Sequence, residues 1–432
     1  MEVAGVLRRQ TIAARPFLGK QCCKRIMIKR YFFFGFASGV LVILTVLGVA
    51  KYAQLSRQPA VPKASIKLAE VVGLPPGIRS MVQTEEMTEL EKEGLDSVQK
   101  ERAFHAQQGQ GNSLPPSNYL ALSGGADRGA FTAGLLNGWT AAGNRPQFKQ
   151  VTGISTGALI APFAFLGSRY DDHLKEFYTN TMPDEILERR NILAAIFDEA
   201  LADTTPLKRL TEKFVTQDVL NEIAHEYSRG RLLYIITTNL DAHEQVVWNM
   251  TKIAASGSPK ALELFRKIML ASAAVPAAFP PVMIDVKVDG NLYQEMHVDG
   301  GVMAAVLSYP PSLKLAKDSM EHGIIRERHL YIIYASQNAL LDPDGTEVNR
   351  QTLSIARRAL IAMTQSHGVG DLFKIYATSQ RDNIDFNLAY IPRSFVLQRK
   401  DYFDTEYMRE LFRTGYAQGA KTYQWKKTPP GL

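Results

Sequence analysis

Apolar and polar positions change period several times along the chain. NYLALS, Asn118 to Ser123, is a short apolar run that predicts a buried strand, SGGADRG predicts a turn, and AFTAGLLNGWTAA, Ala130 to Ala142, has helical spacing. FKQVTG then reads as a second strand and TGALIAPFAFLG as a second helix. This β-turn-α-β-turn-α unit is the pattern of a parallel α/β sheet. LLYIITTN (Leu232 to Asn239), QVVWN, VMIDVKV, YQEMHVD and HLYIIYAS predict further strands, with helices near 172–200, 205–228, 258–274 and 352–381. The expected fold class is α/β, with one central mixed, largely parallel sheet sandwiched by helices.

Two stretches fall outside that pattern. Tyr31 to Ala50, YFFFGFASGVLVILTVLGVA, is twenty residues without a charge, about the length that crosses a bilayer's hydrocarbon core. It predicts a transmembrane or signal segment. Gly48-Val49-Ala50 is a fair cleavage site and Met27 a possible later start, while the length of the run favours an anchor. Gly35 and Gly39 form a GxxxG that ordinary glycine use explains. Residues 51–117 are polar and proline-containing, with one helix-like run from Thr84 to Gln108 that carries Met87, Leu90 and Val98 among many charges. They read as a tether that partly packs on the core, with a solvated helix lying on the domain. The expected organisation is therefore 1–30 as a basic tail, 31–50 as the membrane or signal segment, 51–117 as the tether and 118–432 as the main domain. Within that domain the motifs fall at 118–305, and 306–432 form a helical and strand extension. At its end DYFDTEYMRELF predicts a helix capped by Asp404, with Tyr407, Leu411 and Phe412 turned inward.

Charge changes the picture less than its total suggests. The net charge is +7, but residues 1–30 hold eight Lys and Arg against Glu2 alone, which leaves 42 residues of each sign in the rest of the chain. No basic groove is implied, and a nucleic-acid partner is not expected. The same asymmetry, with only Lys51 and Arg57 soon after the apolar run, puts the N-terminus in the cytoplasm and the domain outside, periplasmic in a bacterium. The alternative is secretion after cleavage. Cys22 and Cys23, adjacent and ahead of the apolar run, are the only cysteines, so the domain carries no thiol, disulfide or cysteine metal site. Palmitoylation of that pair is chemically open.

The candidate chemistry lies in the turns. VTGISTG, Val151 to Gly157, has the G-x-S-x-G form, which chance supplies often enough to be weak alone. In a right-handed βαβ unit, however, the turns after both strands emerge at one sheet edge, so Gly124 to Gly129 and Ser155 should be neighbours. Ser155 on a strained strand-to-helix elbow between Gly153 and Gly157 is a candidate nucleophile, and the glycine-rich loop offers amides for an oxyanion. A phosphate loop would need Lys and Ser or Thr after Gly129, where Ala130 and Phe131 stand. A dinucleotide fingerprint would need glycine at Ala126 and an acid at the end of the second strand, where Thr152 and Gly153 stand. Nucleotide binding is thus not expected. Asp299, in HVDGGV, ends a strand and enters a Gly-Gly turn, which makes it the candidate base. Asp289-Gly290 reads as a hairpin turn and His297 as a core or supporting residue.

Three motifs in order resemble the patatin-like phospholipases of the bacterial, membrane-anchored or secreted type. That family pairs a G-G-G-x-[RK]-G loop with a G-x-S-x-G elbow and a later D-G-[GA] triplet. Here Gly124, Gly125, Ala126, Asp127, Arg128 and Gly129, then Gly153 to Gly157, then Asp299 to Gly301 match, with ASAAVPAAFPPV (Ala271 to Val282) similar to the family's small-residue stretch. Ala126 departs from the middle glycine, which bears on which amides form the hole. The resemblance implies a Ser155/Asp299 dyad without histidine and an oxyanion hole from the amides of Gly124, Gly125 and Ala126 beside Arg128. It also implies an acyl-enzyme on Ser155, no metal or cofactor, and a lipid or phospholipid substrate at a membrane, cleaved in the manner of a phospholipase A. Two alternatives stay open: an α/β-hydrolase esterase whose base is a histidine such as His367, and a non-catalytic lipid-binding protein of the same fold.

Overall fold

The computed structural model describes residues 45, 57–82, 88–109, 114–186, 188–189, 202–337, 347–421 and 423–432. The chain divides into two units, Met1–Gln58 and Pro59–Leu432. The basic tail, Cys22, Cys23, Gly35, Gly39, Met87 and, apart from Thr45, the apolar run 31–50 lie outside the described residues. Among the described residues no helix is long and apolar enough to cross a membrane.

The strands are β1 (Glu70–Val71), β2 (Arg79–Met81), β3 (Ser117–Leu122), β4 (Gln150–Ile154), β5 (Glu188–Arg189), β6 (Ala202–Asp203), β7 (Leu232–Asn239), β8 (Glu244–Asn249), β9 (Val282–Val288), β10 (Asn291–Asp299), β11 (Arg328–Gln337) and β12 (Asp385–Ile391). The large sheet runs β1-β9-β10-β7-β4-β3-β11-β12, with β8 on β7 and β2 on β8; β5 and β6 pair separately. Neighbours from β7 through β12 are parallel, whereas β10, β9, β1, β8 and β2 join antiparallel. The central strands are apolar on both faces because both faces are covered. Leu233 and Ile235 of β7 face one core with Val151, while Leu232, Tyr234 and Ile236 face another with Ile154. The expected hairpin forms at Asp289-Gly290, both with positive φ, and joins β9 to β10.

Six helices matter for the site: α1 (Thr88–Gln107), α2 (Gly129–Ala141), α3 (Thr156–Leu166), α4 (Ala261–Ser272), α5 (Thr352–Arg381) and α6 (Thr405–Ala420). The run expected as one helix over 205–228 is two, Thr205–Phe214 and Gln217–Ser228, divided where Thr216 caps the second by accepting from the Val219 amide. Between 172 and 200 the described helices are Asp171–Thr179 and Pro183–Ile186.

The polar stretch before residue 117 does more than tether. It adds β1 and β2 to the sheet edges and docks α1 through a buried polar stripe, Glu93, Ser97 and Glu101 at four-residue spacing. Glu101 pairs with Lys149 at 2.6 Å and Arg326 at 2.8 Å, and the Ser97 hydroxyl donates to the Gly230 carbonyl at 2.6 Å. The helix itself is where its pattern puts it, but apolar periodicity is blind to a buried face held by ion pairs. The C-terminal helix packs as expected, with Asp404 accepting from the Glu406 and Tyr407 amides and with Leu411 and Phe412 buried. Its contact with α2 is unusually close. A Cβ on Gly134 would stand 2.1 Å from the Phe412 carbonyl oxygen, and one on Gly415 would stand 2.3 Å from that of Phe131.

Candidate active site

The parallel pair β4/β7 sets the geometry. Ile154, the last residue of β4, pairs with Ile236. One step further, Thr237 of β7 pairs with Asp299, the last residue of β10. Thus β4 and β10 meet end to end on one flank of β7, and the residue after Ile154 arrives beside Asp299.

That residue is Ser155. The chain turns sharply there, with φ +55° and ψ −124°, a region that a residue with a Cβ occupies only when its surroundings enforce it. The flanking glycines are required by close approach: a Cβ on Gly153 would lie 2.4 Å from the Gly157 carbonyl oxygen, and one on Gly157 would lie 2.4 Å from that of Leu122. The Ser155 amide donates to the Ser272 hydroxyl at 3.0 Å, and that hydroxyl donates to the Ile236 carbonyl at 2.7 Å. Helix α3 begins at once, so the serine stands over its N-terminus.

The Ser155 hydroxyl donates to the Asp299 carboxylate, which also accepts from the Gly301 amide at 2.7 Å. Asp299 is 3% exposed. Burial pushes its carboxyl up to about 7, against the opposing pull of those two donors. Its own amide is tied to the Ala274 carbonyl at 2.9 Å. Gly300 follows because a Cβ there would meet the Ile236 carbonyl oxygen at 2.6 Å.

The glycine-rich loop lies beside the elbow: a Cβ on Gly124 would sit 3.0 Å from the Ser155 Cβ. One expected role needs correction. The Gly124 amide donates to the Ala305 carbonyl at 3.2 Å, so it is already committed and is not a free oxyanion donor. The amides of Gly125 and Ala126 make no backbone hydrogen bond among the described residues. Gly125, at φ 163° and ψ 4°, has no room for a Cβ against Ala335, and Ala126 takes φ +52° in spite of its methyl group. The Arg128 guanidinium folds back over the loop, 3.4 Å from both the Gly125 carbonyl and the Ser336 hydroxyl.

No histidine makes a hydrogen bond or ion pair with Ser155 or Asp299 among the described residues. His367 is exposed on α5. His297 is fully buried in a separate network. Its Nδ1 lies 2.9 Å from the Thr237 hydroxyl, which accepts from the Trp248 indole at 2.8 Å, and its Nε2 lies 3.2 Å from Glu295. With the indole filling the acceptor side of that hydroxyl, the consistent tautomer carries the proton on Nε2 and donates to Glu295. Burial lowers the His297 pKa; Glu295, although burial opposes it, is held at about 2 by Arg79 and His297.

Sequence reasoning missed Ser272, which has no signal beyond its place in a run of small residues, and Asp127, whose signal was a charge inside a glycine loop. Asp127 is fully buried and faces Arg399. Among the described residues no group of three or more His, Cys, Asp and Glu side chains is placed to hold a metal ion.

The sequence model of the family described as "Patatin-like phospholipase" matches residues 120–307. No curated protein matches the chain. A solved structure, VipD from Legionella pneumophila, aligns with a TM-score of 0.35 and 11% identity, over 71% of this chain and 66% of that one, just under two thirds of its length; a likeness so low carries no argument. Residues 120–307 contain the loop, the elbow and the Asp-Gly-Gly turn, so the stretch that matches the patatin-like phospholipase model takes in all three motifs.

Proposed function

We propose that the protein is a serine acyl hydrolase of the phospholipase A type, cleaving ester bonds of glycerolipids through Ser155 and Asp299. The observation that carries this reading is the placement of Ser155, on its strained elbow at the end of β4, beside the buried Asp299 carboxylate at the end of β10, where burial pushes that carboxyl up to about 7. An aspartate with an ordinary value of ~3.9 is a poor base at neutral pH; one near 7 is well matched to the task.

In this mechanism Ser155 Oγ attacks the ester carbonyl while its proton passes to Asp299. The amides of Gly125 and Ala126 donate to the oxyanion, and each such donor is worth ~3 kcal/mol in the transition state. Collapse expels the alcohol, which takes the proton back from Asp299, and leaves an ester on Ser155. Water then attacks that ester as Asp299 accepts its proton, and the fatty acid departs as Ser155 recovers its hydrogen.

The charge pattern of residues 1–57 supports a domain held at the outer face of a membrane by residues 31–50, or released there by cleavage. Among the described residues no histidine bonds to Ser155, which leaves the histidine-based alternative without a base, and the non-catalytic alternative leaves the strained elbow without a purpose. The test is labelling of the full chain by a fluorophosphonate. Wild type and His367→Ala label and Ser155→Ala does not; a chain that never labels, or labels equally without Ser155, overturns the proposal.

A further inference from the structure

We propose that Arg399, in the segment between β12 and α6 and outside the residues that match the family, is a positioning residue of the candidate oxyanion loop, holding and neutralising Asp127. The inference rests on the reading of Gly125 and Ala126 as the oxyanion donors.

Asp127 follows Ala126 directly and is fully buried. Its two carboxylate oxygens lie 3.3 and 3.2 Å from Arg399 Nη1, and one of them accepts from the Phe403 amide at 3.3 Å. A buried carboxylate left unpaired is strongly destabilising. Here it would do a second harm, because a bare negative charge next to the Gly125 and Ala126 amides opposes the negative charge that an ester oxygen develops in the transition state. Arg399 removes both problems. The arginine is itself steadied, with its guanidinium carbon 4.2 Å from the centre of the Tyr402 ring, and Lys400 donates its amide to Asp404, the cap of α6. Helix α6 then packs glycine-close on α2, which begins at Gly129, where the loop ends. One C-terminal unit therefore grips the loop at Asp127 and the helix that follows it.

The test is a double-mutant cycle in the full chain, read by hydrolysis of soluble p-nitrophenyl butyrate and by thermal melting. Arg399→Gln is expected to lower kcat about tenfold or more with KM within about twofold, and to lower Tm. In an Asp127→Asn background the same Arg399→Gln change should cost less than about threefold in kcat and little in Tm, because no charge is left to neutralise. Arg399→Lys should fall between. Equal losses from Arg399→Gln in both backgrounds, or no loss in either, overturn the inference while an active wild type keeps the hydrolase reading. A wild type silent on this and longer esters overturns the hydrolase reading and the inference with it.

Discussion

The Ser155 amide and the Ser272 hydroxyl are joined at 3.0 Å, and through that hydroxyl the elbow is tied to the carbonyl of Ile236 on the neighbouring strand. Ser272 is fully buried at the end of α4. The Ser272→Ala change strands a buried donor and a buried acceptor, which costs ~1–3 kcal/mol of stability. Because the elbow's positive φ is enforced from outside, the same change should lower kcat for a soluble ester about tenfold with KM little altered. Chemical denaturation and steady-state kinetics on Ser272→Ala check the two effects separately; wild-type kcat in that variant removes the serine from the account.

Asp299 makes a pH prediction in two parts. As a base it must be ionised, so kcat/KM should rise through a single step near pH 7 and level off above it. For stability the sign is the reverse. The folded carboxyl binds its proton more tightly than the unfolded one, so the stabilisation present in acid is lost as pH rises through about 7. The loss is on the order of 4 kcal/mol. Asp299→Asn should therefore be inactive yet melt higher than wild type at pH 8, with little advantage at pH 4. A variant that is less stable than wild type at pH 8 contradicts the buried charge.

The α2/α6 contact tolerates no side chain. Gly415→Val would press against the Phe131 carbonyl oxygen, where a Cβ alone stands at 2.3 Å, and should cost about 3 kcal/mol or prevent folding. Melting of Gly415→Val beside an exposed control such as Gly370→Val, where a Cβ meets nothing within 4 Å, separates the clash from helix propensity.

Much of this was legible in the sequence because it is written in local patterns. The strands LLYIITTN and VMIDVKV fall where apolar period puts them, and so does the amphipathic helix that Asp404 caps, since such strands and helices declare themselves within a few residues. Ser155 and Asp299 stood out because tight turns need glycine and glycine is visible. What stayed hidden depends on distant partners. Helix α1 is held by Glu101 with Lys149 and Arg326, residues that individually look solvent-bound. The commitment of the Gly124 amide depends on a carbonyl 181 positions later, at Ala305. The pairing of Asp127 with Arg399 spans 272 positions, and nothing local marks either member as half of a pair.

The central claim is that Ser155 and Asp299 together hydrolyse a lipid ester. The most direct measurement is fatty-acid release from defined phospholipid vesicles, with EDTA present, by the full chain as wild type, Ser155→Ala and Asp299→Asn, each checked for folding by circular dichroism. The account predicts release by wild type and a loss of at least about a thousandfold in both folded variants. Release that persists in either variant, or a folded wild type that releases nothing from any lipid ester, contradicts it.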